Sequence, residues 1–330
     1  MDRIFLIFCL VKISARLFRI NVQILLLGPT AVGKTALSIE LAQLLDAEII
    51  STDSRQCYKY MNIGTATPTD NERSGISHYN LSIIDPATKD SVVNFYERAM
   101  EWKKEILSRG KNVLFVGGST LHVQSVIQPL DDVPEANEDN IAKLEKQIEE
   151  KGIEKLYQKL QEVDPDYAQK MDGMNTQRIV RALDVWMQTG RPFTSFHSDD
   201  NKISVPDDMV VFGLHRDRQK LYDRINRRVD QMFEEGFLDE VRTILDMGYS
   251  LEDPGLNTVG YKEAIAYLKD EISREQMIKD MKTQTRRYAK RQLSWFRRWD
   301  FINWIDLDQT KQSEARNFIQ SQLAAKANKD

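Results

Sequence analysis

Short apolar runs recur along the chain with helical segments between them. Residues 22–27, 47–50, 113–116 and 209–214 are runs of strand length that contain few polar residues. Residues 35–45 lie between the first two runs and carry leucines at helical spacing. Mostly apolar strands that alternate with helices are typical of a parallel sheet with both faces covered. The pattern therefore predicts an α/β fold with a parallel sheet.

The middle of the chain follows a different pattern. From Pro134 to about Gly190 the residues are strongly charged, and apolar side chains recur at helical spacing, as at Ile141, Leu144 and Ile148. This pattern predicts a helical insertion between two parts of the sheet. We therefore divide the chain into an α/β core with C-terminal helices at 21–130 and 200–310, a helical insertion at 131–199, an N-terminal extension of unknown role at 1–20 and a polar tail at 311–330.

Composition and charge narrow the setting of the protein. The chain has 330 residues and a formal net charge of −4, so any contact with nucleic acid must come from local basic patches. Two cysteines are too few for a disulfide framework, which favours a reducing compartment. The apolar run at residues 4–11 is too short to cross a bilayer. We expect a cytoplasmic, monomeric protein without a membrane anchor.

Residues 28–35 read GPTAVGKT and match the pattern G-x-x-x-x-G-K-[ST] between a predicted strand and a predicted helix. Glycines let backbone amides surround a polyphosphate, the helix start adds positive potential, Lys34 adds a full charge and the Thr35 hydroxyl holds Mg²⁺. The residues predicted to bind phosphate are Gly28, Pro29, Thr30, Ala31, Val32, Gly33, Lys34 and Thr35. Most such loops serve the transfer of a terminal phosphate, so the motif leaves the reaction open.

The second predicted strand leads into residues 51–58, at the edge where parallel sheets collect their functional residues. Asp53 is therefore expected to face the phosphate loop. Its carboxylate has two interpretations at this point, as a helix cap or turn former and as a metal ligand of the kind that NTPases use. The local pattern does not choose between these roles.

A basic stretch near the C-terminus is the candidate surface for nucleic acid. Residues 279–298 contain eight lysine or arginine residues and a single acid, Asp280. On a helix, Arg287 and Arg291 lie one turn apart on the same face, and aromatic residues such as Trp295 are interleaved with the basic ones. This combination suits phosphate contacts together with stacking on bases. The alternative is a solvated basic face with the aromatic side chains in the core.

Eight motifs occur in a characteristic order along residues 22–306. They are GPTAVGKT at 28–35, DSRQCY at 53–58, NIGTA at 62–66, VGGS at 116–119, QRIVRAL at 177–183, RINRRVD at 224–230, TVGYKE at 258–263 and AKRQLSWFR at 289–297. In order and spacing this set resembles the tRNA dimethylallyltransferase (isopentenyltransferase) family. The phosphate loop by itself is generic, but the combined set is specific.

The resemblance implies a P-loop NTPase-like core that binds dimethylallyl diphosphate and Mg²⁺. It implies that Asp53 is the general base, that Ser119 hydrogen-bonds the departing oxygen and that Arg224 is a further diphosphate ligand. The residues that it assigns to tRNA are Asp53, Ser54, Arg55, Gln56, Gln177, Arg178, Ile179, Val180, Arg181, Asn257, Thr258, Val259, Gly260, Tyr261, Lys262, Arg287, Lys290, Arg291, Gln292, Trp295 and Arg297.

Several positions depart from the pattern of the family. The family usually has threonine in place of Ser119, glycine or methionine in place of Thr120, tyrosine in place of His122, a second histidine in place of Tyr79 and lysine in place of Thr67. A hydroxyl survives at Ser119, and Thr120 is a neighbour that can share its role. Thr67 stands where the family usually has lysine, so one phosphate or tRNA contact that the resemblance implies lacks its usual cation.

The implied reaction moves a dimethylallyl group to the exocyclic amine of the adenine 3′ of the anticodon, with the tRNA anticodon stem-loop as the partner. Three alternatives stay open. Prenyl transfer to free adenine nucleotides fits the same loop and base pocket, although the insertion and the basic stretch speak against it. A P-loop small-molecule kinase needs a phosphoryl acceptor and usually an arginine lid. A nonenzymatic RNA-binding protein leaves the intact phosphate loop unexplained.

Overall fold

The computed structural model describes residues 23–128, 131–171, 173–196 and 203–327. The predicted N-terminal extension lies outside the described residues. The described chain divides into a larger unit, drawn from 1–128 and 204–330, and a smaller unit, drawn from 129–203. Across these described ranges, no helix is both long enough and apolar enough to cross a membrane.

A parallel sheet forms the centre of the larger unit. Its strands within the described residues are β1 (Gln23–Leu27), β2 (Ala47–Ser51), β3 (His78–Tyr79), β4 (Asn112–Gly117), β5 (Met209–His215) and β6 (Asn303–Asp306). They pair in the order β3-β2-β4-β1-β5-β6, and every pairing is parallel. All residues of β1 and β2 are buried, as expected for strands covered on both faces. The predicted parallel α/β fold is confirmed.

Helices connect the strands and form most of the remaining structure. They are α1 (Lys34–Leu45), α2 (Asp70–Arg73), α3 (Val92–Ser108), α4 (Thr120–Ile127), α5 (Glu138–Lys151), α6 (Ile153–Val163), α7 (Pro165–Lys170), α8 (Thr176–Thr189), α9 (Arg218–Glu234), α10 (Phe237–Asp246), α11 (Tyr261–Leu268), α12 (Arg274–Phe296) and α13 (Gln312–Ala327). A core cluster that includes Leu26 of β1, Leu41 of α1 and Phe212 of β5 joins helices to the sheet. The apolar runs seen in the sequence are the strands of this core.

The carboxyl ends of the central strands meet at one edge of the sheet. Leu27, at the end of β1, is paired with Gly117 of β4 and with Gly213 of β5. Ser51, at the end of β2, is paired with Val116. Because neighbouring strands lie about 5 Å apart, the loops that follow β1, β2 and β4 start close together. Parallel α/β sheets place their functional groups at this edge.

The smaller unit is a helical body with its own core. Helices α5 to α8 contribute these buried apolar residues: Leu144, Leu156, Leu160, Ala168, Ile179, Val180, Ala182 and Leu183. A fully buried carboxylate, Asp184, accepts hydrogen bonds from the Asn137 backbone amide at 3.3 Å and from Arg181 Nη1 at 2.8 Å. Because a buried charge needs such partners, this network fixes the segment that precedes α5 against α8.

The C-terminal segment corrects one expectation. We expected a polar tail at 311–330, but Gln312–Ala327 forms helix α13. Ala315, Ile319 and Leu323 are buried in the core cluster that contains the central strands. These residues recur every four positions, so they share one helix face. The polar composition of the segment conceals this narrow apolar stripe, and the prediction of a tail is therefore wrong.

Candidate active site

The phosphate loop runs from the end of β1 to the start of α1. Gly33, which precedes α1, has a φ of 118°, a conformation that only glycine adopts readily. Ala31 also has a positive φ, 61°. A Cβ at Gly28 would lie 2.7 Å from the carbonyl oxygen of Leu214, so neighbouring backbone leaves room only for glycine there. The loop thus leads into a helix N-terminus, where the helix dipole favours an anion.

Arginines from distant positions hold the backbone of this loop. Arg224 of α9 donates from Nε to the Ala31 carbonyl at 2.8 Å. Arg216, which follows β5, donates from Nε to the Val32 carbonyl at 2.9 Å. Arg216 also binds the Asp308 carboxylate through Nη1 at 2.8 Å. Two loop carbonyls are therefore bound by cationic side chains, which adds positive charge next to the predicted phosphate site.

Lys34 folds back over the loop from the first position of α1. Its Nζ donates to the carbonyl oxygens of Gly28 at 3.0 Å and Pro29 at 2.9 Å. Burial lowers the pKa of Lys34 to about 8, the Asp53 carboxylate opposes this shift, and the Arg228 guanidinium adds to it. A buried ammonium beside another cation is costly, so an anion in this place would stabilise its charged form.

Asp53 lies at the carboxyl end of β2, where the sequence predicted it. Its Oδ1 accepts hydrogen bonds from the backbone amides of Arg55 at 2.8 Å and Gln56 at 3.3 Å. The Gln56 side chain is held in turn, because it accepts from Ser51 Oγ at 3.0 Å and donates to the Ala66 carbonyl at 3.0 Å. The carboxylate is thus a turn former and also lines a cavity, so its capping role does not exclude a chemical one.

Ser119 connects the ends of β2 and β4. It precedes α4, and its Oγ accepts from the Ser54 amide at 3.0 Å and donates to the Ser54 Oγ at 3.1 Å. The Tyr288 phenol lies close to this hydroxyl. Burial raises the pKa of Tyr288 to about 12, the Asp53 carboxylate acts in the same direction, and the neighbouring Ser119 hydroxyl acts in the opposite one. Tyr288 is therefore a neutral hydroxyl near neutral pH.

One cavity of about 700 Å³ joins these elements. Its lining includes Lys34, Thr35, Asp53, Gln56, Arg224 and Arg228. Val116 and Gly117 at the end of β4 also line it, whereas Ser119 is buried, with 6% of its surface exposed. The cavity therefore brings the predicted phosphate loop, the predicted base and the predicted arginine together. Ser119 follows the lining residue Gly117 by two positions in the sequence.

The described residues contain no group of three or more His, Cys, Asp or Glu side chains that is arranged to hold a metal ion. Thr35 lies in the cavity wall at the start of α1. A divalent ion in this place would therefore have to take most of its ligands from phosphate oxygens and water, which is how Mg²⁺ is usually bound beside phosphates.

Comparison with known proteins gives a consistent result. The family model described as IPP transferase matches residues 56–299, which is most of the chain. The chain belongs to the IPP transferase family. The resemblance seen in the sequence motifs is thereby confirmed.

Individual relatives match along nearly their whole length. The tRNA dimethylallyltransferase of Salinibacter ruber is 41% identical over 90% of this chain and 91% of its own length. The enzyme of the same name from Carboxydothermus hydrogenoformans is 44% identical over 86% of this chain and 91% of its own length. At this coverage the match includes the segments between the motifs as well as the motifs themselves.

Solved structures of the family are similar in fold. The tRNA isopentenylpyrophosphate transferase of Bacillus halodurans has a TM-score of 0.67 and 38% identity over 93% of this chain and 98% of its own. A eukaryotic dimethylallyltransferase acting on tRNA has a TM-score of 0.76 and 28% identity over 91% of this chain and 80% of its own. The P-loop-like α/β core is therefore the fold of the IPP transferase family.

Four of the positions expected to depart from the family pattern have well-defined local surroundings. Thr67 is buried and its hydroxyl lies 2.9 Å from that of Thr65. Tyr79 donates to Glu48 Oε2 at 2.8 Å. His122 is buried, burial lowers its pKa to about 4, and its ring meets that of Phe95 edge-on. The hydroxyls of Thr67 and Tyr79 thus have hydrogen-bond partners inside the protein, and the His122 ring packs against an aromatic ring. Thr120, the fourth departure, is the first residue of α4, directly after Ser119.

The basic residues of α12 that were predicted to contact tRNA lie on an exposed surface. Arg287, Lys290, Arg291 and Arg297 are exposed there. Trp295 is half-buried, and the Arg298 guanidinium stacks 3.8 Å from the centre of its ring. Cations and an aromatic ring therefore share one surface, as contacts with phosphates and bases require.

Some residues that the resemblance assigned to tRNA are in the core of the larger unit. Tyr261 is fully buried, and its hydroxyl donates to Glu240 Oε1 at 2.6 Å. Thr258 is buried and donates to the Gly255 carbonyl at 2.6 Å. The polar atoms of both side chains are used inside the protein, so neither side chain is part of the exposed surface. Gly260, between them, is also buried.

Neighbouring residues with the same predicted role are on the surface. Asn257, Val259 and Lys262 are exposed. Gln292 of α12, in contrast, is another assigned residue that is buried, with 2% of its surface exposed. It lies at the phosphate loop, so its side chain is not part of the exposed basic face of the helix.

The same division holds in the smaller unit. Gln177 and Arg178 at the start of α8 are exposed. Ile179 and Val180 are buried in the core of the unit, so their side chains are not on its surface. Arg181 is half-buried and pairs with the buried Asp184. Because one helix turn places successive residues on different faces, a contiguous motif cannot be a contiguous surface.

Arg228 is a candidate site residue that the sequence reasoning did not select. It lines the cavity with Arg224, one helical turn earlier on α9. Burial lowers its pKa from the ordinary value of arginine, and the Asp53 carboxylate opposes that shift. The motif RINRRVD contained the signal, since residues four apart on a helix share a face.

Proposed function

We propose that this chain transfers a dimethylallyl group from dimethylallyl diphosphate to the exocyclic amine of the adenine 3′ of the anticodon in tRNA, with release of diphosphate. A relative named tRNA dimethylallyltransferase, 41% identical over 90% of the chain, supports this function. The observation that carries it is the shared cavity, in which the phosphate loop, Asp53 and Arg224 line the same space. Free adenine nucleotides as acceptors would not need the basic face of α12.

In the proposed complex the diphosphate lies against the backbone amides at the start of α1. Lys34, Arg224 and Arg228 line this end of the cavity and oppose the charge of the anion. An ammonium has three donors, and two of those of Lys34 bind the Gly28 and Pro29 carbonyls. The third donor suits a phosphate oxygen. The loop residues proposed to contribute are Gly28, Pro29, Thr30, Ala31, Val32, Gly33, Lys34 and Thr35.

Asp53 is proposed as the general base. The exocyclic nitrogen of adenine is a poor nucleophile because its lone pair is delocalised into the ring, so its attack must be coupled to loss of a proton. As the nitrogen bonds to the first carbon of the allyl chain, the bond from that carbon to the diphosphate oxygen breaks. The proton passes to the Asp53 carboxylate. The backbone amides that bind Oδ1 hold this carboxylate in place.

Ser119 is proposed to act on the leaving group. Its hydroxyl now donates to Ser54 Oγ at 3.1 Å. Redirected by one rotation of the side chain, it would donate to the oxygen that bridges to the allyl carbon and would stabilise the charge that develops there.

Mg²⁺ is proposed as the cofactor, with the Thr35 hydroxyl as its ligand from the protein. A single hydroxyl at the start of α1 suits an ion that is held chiefly by the diphosphate. When bound, the ion would neutralise charge on the diphosphate. The residues of the chain itself supply the remaining cations and the base.

The tRNA is proposed to dock through exposed residues of both units, and its target adenine must leave the base stack for its amine to be reached. The exposed residues proposed to contact tRNA are Gln177, Arg178, Asn257, Val259, Lys262, Arg287, Lys290, Arg291 and Arg297, together with the half-buried Trp295. Ser54, Arg55 and Gln56 are proposed to meet the extruded base. A single chain supplies all of these groups, so we propose that it acts as a monomer. We also propose that it acts in the cytoplasm, because its two cysteines favour a reducing compartment.

One assay tests this function. The purified full chain is incubated with radiolabelled dimethylallyl diphosphate and Mg²⁺, and separately with tRNA, AMP or ATP as the acceptor. We expect label in tRNA, at the adenine 3′ of the anticodon, and none in the nucleotides. Label in AMP or ATP and not in tRNA would assign prenyl transfer to free nucleotides. Release of phosphate from ATP without any prenyl transfer would instead indicate a phosphoryl-transfer enzyme.

A further inference from the structure

The side chain of Gln292 joins two loops of the candidate site. Gln292 lies in the last turns of α12 and is buried, with 2% of its surface exposed. Its Oε1 accepts from the Thr30 amide of the phosphate loop at 2.9 Å. Its Nε2 donates to the carbonyl of Gly118, the residue before Ser119, at 2.7 Å. One amide group therefore spans from the diphosphate side of the site to the leaving-group side.

The chemistry of this bridge is specific to an amide of this length. It needs an acceptor for an N–H at one end and a donor for a carbonyl at the other, and the glutamine amide offers both. Glutamate keeps the acceptor but has no proton for the Gly118 carbonyl when ionised. Methionine has nearly the same shape and offers neither group at hydrogen-bond strength. The contact can thus be tested at nearly constant volume.

The packing around Gly118 shows how closely the two loops are set. A Cβ at Gly118 would lie 2.5 Å from Gln292 Nε2 and 2.6 Å from the carbonyl oxygen of Gly28. The start of the phosphate loop, the end of β4 and α12 therefore meet at one point. A shift of any of the three would change the distance between the loop amides and the Ser119 hydroxyl.

We propose that Gln292 is a positioning residue that fixes the phosphate loop against the end of β4, and so holds the diphosphate and Ser119 in register. This inference rests on the proposed function only for the role of Ser119. It assigns Gln292 to the diphosphate side of the reaction, in place of the tRNA contact that the family resemblance implied. Small displacements of bound groups have large effects on rate. A residue that only fixes the distance between the two loops can therefore change the rate without touching the reacting atoms.

The first test measures binding of inorganic diphosphate to the full chain by titration calorimetry, which needs no reaction. Gln292→Met should weaken binding roughly 10-fold, because the loop loses one restraint and its amides lose their alignment. Gln276→Met is the matched control. Gln276 lies on the same helix, is exposed, and donates to Asp280 Oδ2 at 2.7 Å, so its loss should leave diphosphate affinity within about twofold of wild type.

A second variant and a kinetic measurement test the same proposal if Gln292→Met folds poorly. Gln292→Glu keeps the size and the acceptor for Thr30, so it retains the packing, and it should weaken diphosphate binding at least as much. In steady state, both variants should raise KM for dimethylallyl diphosphate and lower kcat while KM for tRNA stays unchanged. A purely structural role would not separate the two substrates in this way.

The proposal is overturned if a variant with a wild-type melting curve binds diphosphate within about twofold of the wild-type affinity. It is also overturned if KM for tRNA rises as much as KM for dimethylallyl diphosphate, since that would return Gln292 to the tRNA surface. Failure of the proposed function would give a different result from failure of the role assigned to Gln292. If the proposed function is wrong, the wild-type chain binds diphosphate and modifies no tRNA, while the calorimetric comparison still decides the role of Gln292.

Discussion

Two regions of the larger unit concentrate positive charge, and they hold it in opposite environments. In the cavity, Lys34 and Arg228 are enclosed beside the Asp53 carboxylate, and burial lowers the pKa of both cations. On the outer face of α12, Arg287 and Arg291 are exposed to solvent. The cavity cations are few and converge on one point, whereas the surface cations spread along a helix.

The difference in environment determines what each region can do. A charge that is shielded from water interacts strongly with an anion placed at short range, and its effect depends on geometry. An exposed charge is screened by salt, and each contact with a nucleic acid adds a similar increment through release of counterions. We therefore expect large, specific losses from changes in the cavity and small, additive, salt-dependent losses from changes on α12.

The largest loss is expected for Asp53→Asn. The amide keeps an acceptor for the Arg55 and Gln56 amides, so the turn survives while charge and basicity are removed. Turnover should fall by at least about 10² with tRNA affinity little changed, because positioned bases contribute about 10² to 10⁴ in rate. Single-turnover rates for wild type and variant across a magnesium titration measure the effect.

A metal ligand would give a different titration. Recovery of Asp53→Asn to near the wild-type rate at high Mg²⁺ would make Asp53 a metal ligand and would falsify its role as the base. Asp85→Asn is the matched control. Asp85 also accepts a backbone amide two residues on, that of Ala87 at 2.9 Å, but it is not among the cavity residues. Its rate should stay at the wild-type value.

The next largest loss is expected for Lys34→Ala. Removing a charged donor from the cavity should weaken diphosphate binding by about 10- to 100-fold, while tRNA affinity stays within about twofold. Separate calorimetric titrations with each ligand measure this. Lys104→Ala, an exposed lysine on α3, serves as the control. Equal losses for both ligands would indicate misfolding or a shared site.

The pH dependence sharpens the same prediction. The pKa of Lys34 is lowered to about 8, so the ammonium of the free protein loses its proton as the pH rises through that value. Because the charged form binds the anion, the advantage of wild type over Lys34→Ala should be complete below about pH 8 and decline above it. Diphosphate itself becomes more anionic over this range, which affects both proteins. A constant ratio between pH 6.5 and 9.5 would contradict the role assigned to the ammonium.

A smaller loss is expected for Ser119→Ala, which removes one neutral donor. Turnover should slow roughly 10-fold with both substrate affinities nearly unchanged, because the bond forms only as charge develops on the leaving oxygen. Ser119→Thr keeps the hydroxyl and should retain most of the activity. Single-turnover rates at saturating substrates measure these effects. If Thr120→Ala is the damaging change instead, the neighbouring hydroxyl performs this role.

The smallest single effects are expected on α12. Each of Arg287→Ala, Lys290→Ala and Arg291→Ala should reduce the salt slope of tRNA binding by roughly 0.7 to 0.9 and leave diphosphate affinity unchanged. Filter binding across a range of salt concentrations measures the slope, with Lys104→Ala as the control. Unchanged slopes in all three variants would show that this face is an ordinary solvated surface and that its cations do not contact tRNA phosphates.

Much of the site was predictable because its signals are local. The phosphate loop has its glycines, lysine and threonine within residues 28–35, and the neighbouring strand and helix were visible as apolar patterns. Asp53 followed from its place at the end of a predicted strand. Arg228 was also available, as the residue one helical turn after Arg224, but a spacing rule alone does not say which face of a helix meets a cavity.

The sequence by itself therefore determined the parallel sheet, the phosphate loop and the family, because strand length, helical spacing and motif order are properties of neighbouring residues. Only the tertiary structure decided which motif residues line the cavity, which are exposed and which are buried in the core. Gln292 and Thr30 are 262 positions apart, and Tyr261 is buried by packing against distant residues such as Phe237. The same is true of α13, whose polar composition hid the stripe of Ala315, Ile319 and Leu323. Burial and hydrogen-bond partners depend on which residues meet in space, and no local pattern specifies that meeting.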